Sequence, residues 1–299
     1  MTTTQENPTR ERAPESRHGP VAQLLIAWSP LSVILVAYAV AGWVAEPIDV
    51  DGAGPHTNRL GMPLHVAAPA RADEQLLGAV PSVWLQARLV DGSPHWYDAV
   101  AALVYLTHFV TIPAVTALVW FAIRDRFAAW LAAVLTFTAV GVGGYVAYPA
   151  APPWMASELG AVGTVRRISG LGLEYLHLGP LDTLVTSGQA GSNPVAAMPS
   201  MHAGSAMLVC LFLWPVAGRA QRTALGVYVG AMGLTLVYTG EHYVADVLAG
   251  WVVAGVAVAA GQLVSVRDVD LTHRAPARDG RGRGVPRRGA DRRDDRTVS

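Results

Sequence analysis

A chain of 299 residues that is 52% hydrophobic, only 15% charged and positive in mean hydropathy is too apolar for a soluble domain of its size, so much of its surface must face lipid. Its 22 basic and 22 acidic residues cancel, and no nucleic-acid partner is expected. The single Cys210 rules out an intrachain disulfide and argues against a Cys/His metal site; inside an apolar run it reads as a small buried hydrophobe.

Six stretches approach the roughly 20 apolar residues that a bilayer-crossing helix needs. They are 21–45, 98–123, 127–149, 203–218, 222–240 and 245–266. The first is longer than a cleaved signal core and reads as a retained span. The basic residues, all of them Arg, fit a high-GC bacterial coding bias and still orient the chain. Arg10, Arg12 and Arg17 precede the first stretch, Arg124 and Arg126 follow the second, Arg219 and Arg222 follow the fourth, and ten Arg residues crowd the segment after Val266. Strict alternation puts all four groups on one side, which is then the cytoplasm. The expected fold is an all-α integral membrane protein of the cell membrane, a bundle of six transmembrane helices with two long extracytoplasmic loops. Residues 1–20 form a cytoplasmic segment, 21–266 the membrane domain, and 267–299 an Arg-rich tail whose polar, Pro/Gly-interrupted composition reads as disordered.

The first outer loop, 46–97, contains Leu76, Leu77, Val80, Trp84 and Leu85 at roughly helical spacing, which suggests one interfacial helix over 73–90. His56, His65 and His95 in that loop match no common zinc spacing. His108, midway along the second stretch, reads most simply as a hydrogen-bonded interhelical histidine. The second outer loop, 150–202, begins after Tyr148-Pro149 and holds Pro152-Pro153-Trp154, Arg166 and Arg167. No internal repeat, P-loop or dinucleotide fingerprint appears.

Two segments carry ionisable residues where an apolar stretch begins, and both fall on the outer side derived from Arg alone. One is Met198-Pro199-Ser200-Met201-His202; the other runs from Tyr238 through Gly240-Glu241-His242-Tyr243 to Asp246. Ionisable groups at membrane depth are costly and point to function. Pro199 and Ser200 suit a helix start, where free backbone N–H groups attract phosphate. His242 and Asp246, four apart, would meet on one helix face if the sixth stretch turns helical early enough, and a carboxylate on one imidazole nitrogen leaves the other free to attack. Gly240 permits a tight turn, and Glu241 reads as a solvated turn residue.

Pro199-Ser200-Met201-His202 and His242-Tyr243-Val244-Ala245-Asp246-Val247-Leu248-Ala249-Gly250 resemble the second and third motifs of the type 2 phosphatidic acid phosphatase superfamily. Tyr148-Pro149 and Pro152-Pro153-Trp154 ahead of them resemble its inositol phosphorylceramide synthase-like lipid phosphotransferase branch. The resemblance covers about 170 residues, counted over the second to sixth apolar stretches. It implies His242 as the nucleophile that forms a phosphohistidine, Asp246 as its orienting carboxylate, and His202 as the acid and then base, without metal or cofactor. The superfamily's first motif, a Lys followed by Arg-Pro, has no counterpart, and Thr235-Leu236 stand where Ser-Arg is usual. Arg166 and Arg167 are therefore the candidate phosphate-binding cations, with Ser200, Tyr148 and Tyr243 as further substrate-binding candidates. The implied partners are a lipid phosphate substrate, the bilayer, and an alcohol or water acceptor. Transfer to an alcohol leads, hydrolysis of a lipid phosphate or polyprenyl diphosphate is the alternative, and a proton- or ion-coupled transporter is the rival from another class.

Overall fold

The computed structural model describes the backbone of residues 20–48 and 56–274 and the side chains of 32–48 and 56–264. Arg10, Arg12 and Arg17, and the tail beyond Arg274, lie outside the described residues. Helices follow in the order α1 (Pro20–Ala45), α2 (Ala68–Leu77), α3 (Pro81–Leu89), α4 (Trp96–Ala122), a 3-10 turn at Arg124–Arg126, α5 (Phe127–Ala147), α6 (Pro153–Glu158), α7 (Leu171–Tyr175), α8 (Gly179–Ala190), α9 (Met201–Leu213), α10 (Arg219–Tyr238) and α11 (Val244–Arg274). Among the described residues, β-pairing is confined to isolated bridges, of which His65 to Ala150 ties the two long loops together and Ala150 to Ala196 joins the two ends of the second.

Each of the six apolar stretches forms one helix, and α11 continues beyond the expected end at 266 to Arg274. Among the described residues, three helical segments are long and apolar enough to cross a membrane, Trp96–Ala122, Arg124–Ala147 and Val244–Val264. The Ser32–Ala45 part of α1 and Met201–Leu213 are shorter apolar helices. At 13 residues α9 spans about 20 Å, less than the roughly 30 Å hydrocarbon layer.

α11 packs chiefly on α5 and α9. Trp130, Ala133 and Phe137 of α5 form a dry cluster with Leu208 and Phe212 of α9 and Ala254 and Ala257 of α11. Beside it, Tyr105 of α4 packs with Ala203 and Ala206 of α9 and Met232 and Leu236 of α10. The helix ends are ordered accordingly. Arg126, just before α5, lies 4.6 Å from the Phe212 ring near the end of α9, while Ser200 N, just before α9, donates to Asp246 O at the start of α11 at 2.9 Å.

The two long loops are more structured than their composition suggested. The single helix expected over 73–90 is two, because Gly78 takes a left-handed conformation that closes α2 and Pro81 opens α3. The second loop contains the short helices α6, α7 and α8, none of which the sequence reading anticipated. These elements roof one end of the bundle.

Candidate active site

The site forms where α9 and α11 begin. Ser200 has extended backbone and accepts from Ala203 N through Oγ at 3.2 Å, so it is the N-cap of α9. It is fully buried, and its hydroxyl serves the helix start. Gly250 lets the two helices touch, since a Cβ there would collide with Ser200 O. This close approach brings the rings of His202 and His242 together, with centroids 5.7 Å apart.

The turn that carries His242 is held from several sides. Gly240 has φ of +76°, and a Cβ on it would lie 2.7 Å from Arg166 O, so only glycine fits both the conformation and the space. Ile168 N donates to Thr239 O at 3.1 Å and Trp154 N to Gly240 O at 3.3 Å. Gln86 of α3 is buried, accepts from Arg166 N at 2.9 Å, and donates to Arg166 O at 2.8 Å and Tyr238 O at 2.9 Å.

Beyond the turn, His242 Nδ1 lies 3.5 Å from Asp246 Oδ2, both residues being buried. That spacing is loose for a hydrogen bond. Asp246 Oδ2 also accepts from Tyr243 N at 2.9 Å. The two side chains are therefore neighbours, but they do not share a helix face as the spacing suggested, because α11 begins at Val244 and His242 lies in the turn before it.

Around His202 lie two residues of α4. Tyr105 stacks on its ring at 5.2 Å and His108 packs at 4.0 Å. His108 Nδ1 is 3.1 Å from Ser205 Oγ, so it is a hydrogen-bonded interhelical histidine and also a neighbour of the site. It stands twelve residues into α4, about 18 Å along the axis. The paired histidines are thus recessed in the bundle beneath the roof.

Glu241 departs from the expected solvated turn residue, being only 6% exposed. Arg167 holds it with two parallel bonds, Nε to Oε1 and Nη2 to Oε2, both at 2.9 Å. Ser169 Oγ donates to Glu241 Oε1 at 2.7 Å, and Gln189 Nε2 donates to it at 3.1 Å and to Tyr105 OH at 3.2 Å. This network fixes Arg167, whose guanidinium also lies 5.4 Å from the Trp154 ring. The neighbouring Arg166 is exposed, and its backbone is what the turn uses.

Of the other candidates, Tyr148 is half-buried with its ring edge against His65 at 3.7 Å. Tyr243 is fully buried among Ala151, Met155 and Val195, and burial pushes its hydroxyl pKa up. The sequence reading missed Gln86, Ser169, Gln189 and Asp73. Asp73 of α2 is fully buried and accepts from Val244 N at 3.0 Å and Ala245 N at 2.8 Å. One local signal pointed that way: the residue before α11 is Tyr243, which has no side-chain acceptor suited to capping a helix.

An all-helical bundle with two histidines and a carboxylate at converging helix starts defines the class, and the comparison with known families agrees. Residues 70–260, well over half the chain, match the PAP2 superfamily, and the chain belongs to it. The expectation drawn from the motifs, an enzyme of the lipid phosphatase or phosphotransferase kind, is borne out at the level of class. Among individual proteins, the chain is 29% identical over 170 residues to the phosphoinositol dihydroceramide synthase of Bacteroides thetaiotaomicron, over 52% of this chain and 53% of that one. It therefore spans about half the length of the curated relative it matches. No solved structure matches it.

Proposed function

We propose that this chain is a membrane phosphotransferase that crosses the bilayer six times and exchanges phosphate esters on lipids through a phosphohistidine, with its site opening to the extracytoplasmic side. In this reading α1, α4, α5, α9, α10 and α11 are the crossings, and the turns bearing Arg124, Arg126, Arg219 and Arg222 face the cytoplasm. The observation that carries it is the meeting of His202 and His242, from different helices, at 5.7 Å between ring centroids, with Asp246 beside His242.

The chemistry follows from that arrangement. Asp246 at Nδ1 holds the tautomer whose Nε2 lone pair is free and stabilises the positive charge that attack creates. Nε2 forms a bond to phosphorus as the bond from phosphorus to the leaving oxygen breaks, and His202 gives that oxygen a proton. In the second half, an acceptor hydroxyl returns a proton to His202 and bonds to phosphorus as the P–N bond breaks. Arg167 offers its remaining N–H groups to the phosphate. Because Glu241 already balances its charge, the site suits the single charge of a diester better than the double charge of a monoester. The named relative favours an inositol phosphate headgroup and a lipid alcohol acceptor. The recessed position of the histidines limits water, which favours transfer over hydrolysis.

The test supplies a phospholipid donor labelled at phosphorus to purified protein, with and without polyol or lipid alcohols. Label moving to the alcohol, through an acid-labile phosphoenzyme, is the expected result. Release of nearly all label as free phosphate or headgroup phosphate, whatever acceptor is present, would establish the hydrolase instead. Absence of any phosphoenzyme or product would leave the transporter as the better reading.

A further inference from the structure

We infer that Asp73, supplied by the outer-loop helix α2, is a positioning residue that caps α11 and so holds His242 and Asp246 in register; the inference rests on the phosphohistidine reading. The first N–H groups of any α-helix lack intrahelical partners and need acceptors from elsewhere. In a capping box, the N-cap side chain takes a later N–H while the N3 side chain takes the N–H of the N-cap residue. Asp246 occupies N3 of α11 and performs the second half, accepting from Tyr243 N at 2.9 Å. Tyr243 at the N-cap position has no side chain able to perform the first.

Asp73 performs it from 171 and 172 positions away, one oxygen on Val244 N at 3.0 Å and the other on Ala245 N at 2.8 Å. Its carboxylate is fully enclosed, and burial raises its pKa while the two N–H bonds oppose that rise. Upstream, Glu241 N and His242 N both donate to Leu236 O, at 3.0 and 3.2 Å. Five consecutive N–H groups, 241 to 245, are thus anchored: two by α10, one by Asp246 and two by Asp73. Without Asp73, of the N–H groups 243 to 245 only that of Tyr243 keeps its acceptor, and that acceptor is Asp246, the residue that must also orient the His242 imidazole. The 3.5 Å spacing of that pair leaves little tolerance for drift, and misplacement by about 1 Å can cost on the order of 100-fold in rate. α2 meanwhile turns Leu76 and Leu77 outward, 60% and 54% exposed, so its two faces have separate tasks.

The experiment compares Asp73→Ala, Asp73→Asn and, as a control on the same helix, Leu76→Ala. Each is purified in detergent, assayed for kcat and KM with the labelled phospholipid donor, and examined by NMR with 15N-labelled histidine, the His242 signal being assigned with His242→Ala. Asp73→Ala should lower kcat about 10- to 100-fold with KM within about twofold and shift the His242 nitrogen signal. Asp73→Asn, which keeps one acceptor, should fall between it and wild type, and Leu76→Ala should match wild type. Unchanged kcat together with an unmoved His242 signal overturns the inference, as does a raised KM at unchanged kcat, which would make α2 a substrate-binding element. If Asp73→Ala does not fold, Asp73→Asn decides by the same criteria. If wild-type protein turns over no lipid phosphate or diester, the phosphohistidine reading fails, and the His242 signal still decides whether Asp73 positions the turn.

Discussion

The two ends of the helical bundle are built on opposite principles. At the end marked by Arg126 and Phe212, the contacts are dry: Trp130, Ala133, Leu208 and Ala257 pack with almost nothing polar among them. At the other end, Asp73, Gln86, Asp98, Glu241, His242 and Asp246 are all buried, and most are tied by long-range hydrogen bonds to a loop or another helix. Burying such groups is expensive unless each finds a partner. One end holds the fold by shape, and the other spends stability to place chemistry.

The contrast breaks most sharply at His242. Replacing it by Ala removes the nitrogen proposed to attack phosphorus and should lower turnover on the order of 10³-fold or more, with no acid-labile phosphoenzyme detectable. Near-normal turnover would end the double-displacement reading. At the dry end, Trp130→Ala should cost about 3 kcal/mol of stability in a mixed-micelle unfolding titration. Its folded fraction should keep wild-type kcat, and a large loss of kcat there would mean that the two ends are coupled.

A smaller effect should sharpen the picture at Glu241. Glu241→Gln leaves Arg167 without its balancing charge, and turnover of a diester donor should fall about tenfold, or about 1.4 kcal/mol. The ratio of monoester to diester turnover should rise, because the freed cation now favours the more charged substrate. A ratio that does not move would show that Glu241 has no part in substrate selection. The smallest perturbation tests only which end faces out. In a Cys210→Ala background, Glu158→Cys should react with a membrane-impermeant maleimide in intact cells, Gly218→Cys only after permeabilisation, and both should keep activity. Reversed labelling would invert the topology.

What could be read in the sequence was local. The nearness of His242 to Asp246 and the helix start at Ser200 are written in consecutive residues and appear in the structure, although His242 lies in the turn before α11 and not on its face. Glu241 was misread because its sequence neighbours suggest a polar turn. Its actual partners, Arg167, Ser169 and Gln189, come from the preceding loop and bury it. Gln86 and Asp73 were invisible for the same reason: each acts on backbone more than 75 positions away, and nothing in its own neighbourhood announces the partner. His108 was legible as an interhelical histidine, but not as the neighbour of His202, since that contact depends on how far α9 starts below the roof.

By itself the sequence determined the apolar, helical class, the positions of the six helices that the apolar stretches form, the superfamily and the candidate set His202, His242 and Asp246. These depend on composition, periodicity and short spacings, which a chain carries in one dimension. Only the tertiary structure decided that Gly250 lets α9 and α11 touch, that the two histidines meet, that Arg167 is already paired, and that a carboxylate from α2 caps the helix that follows His242. Those outcomes follow from the need to satisfy every buried N–H and charge, and the partners that satisfy them are brought close only by folding.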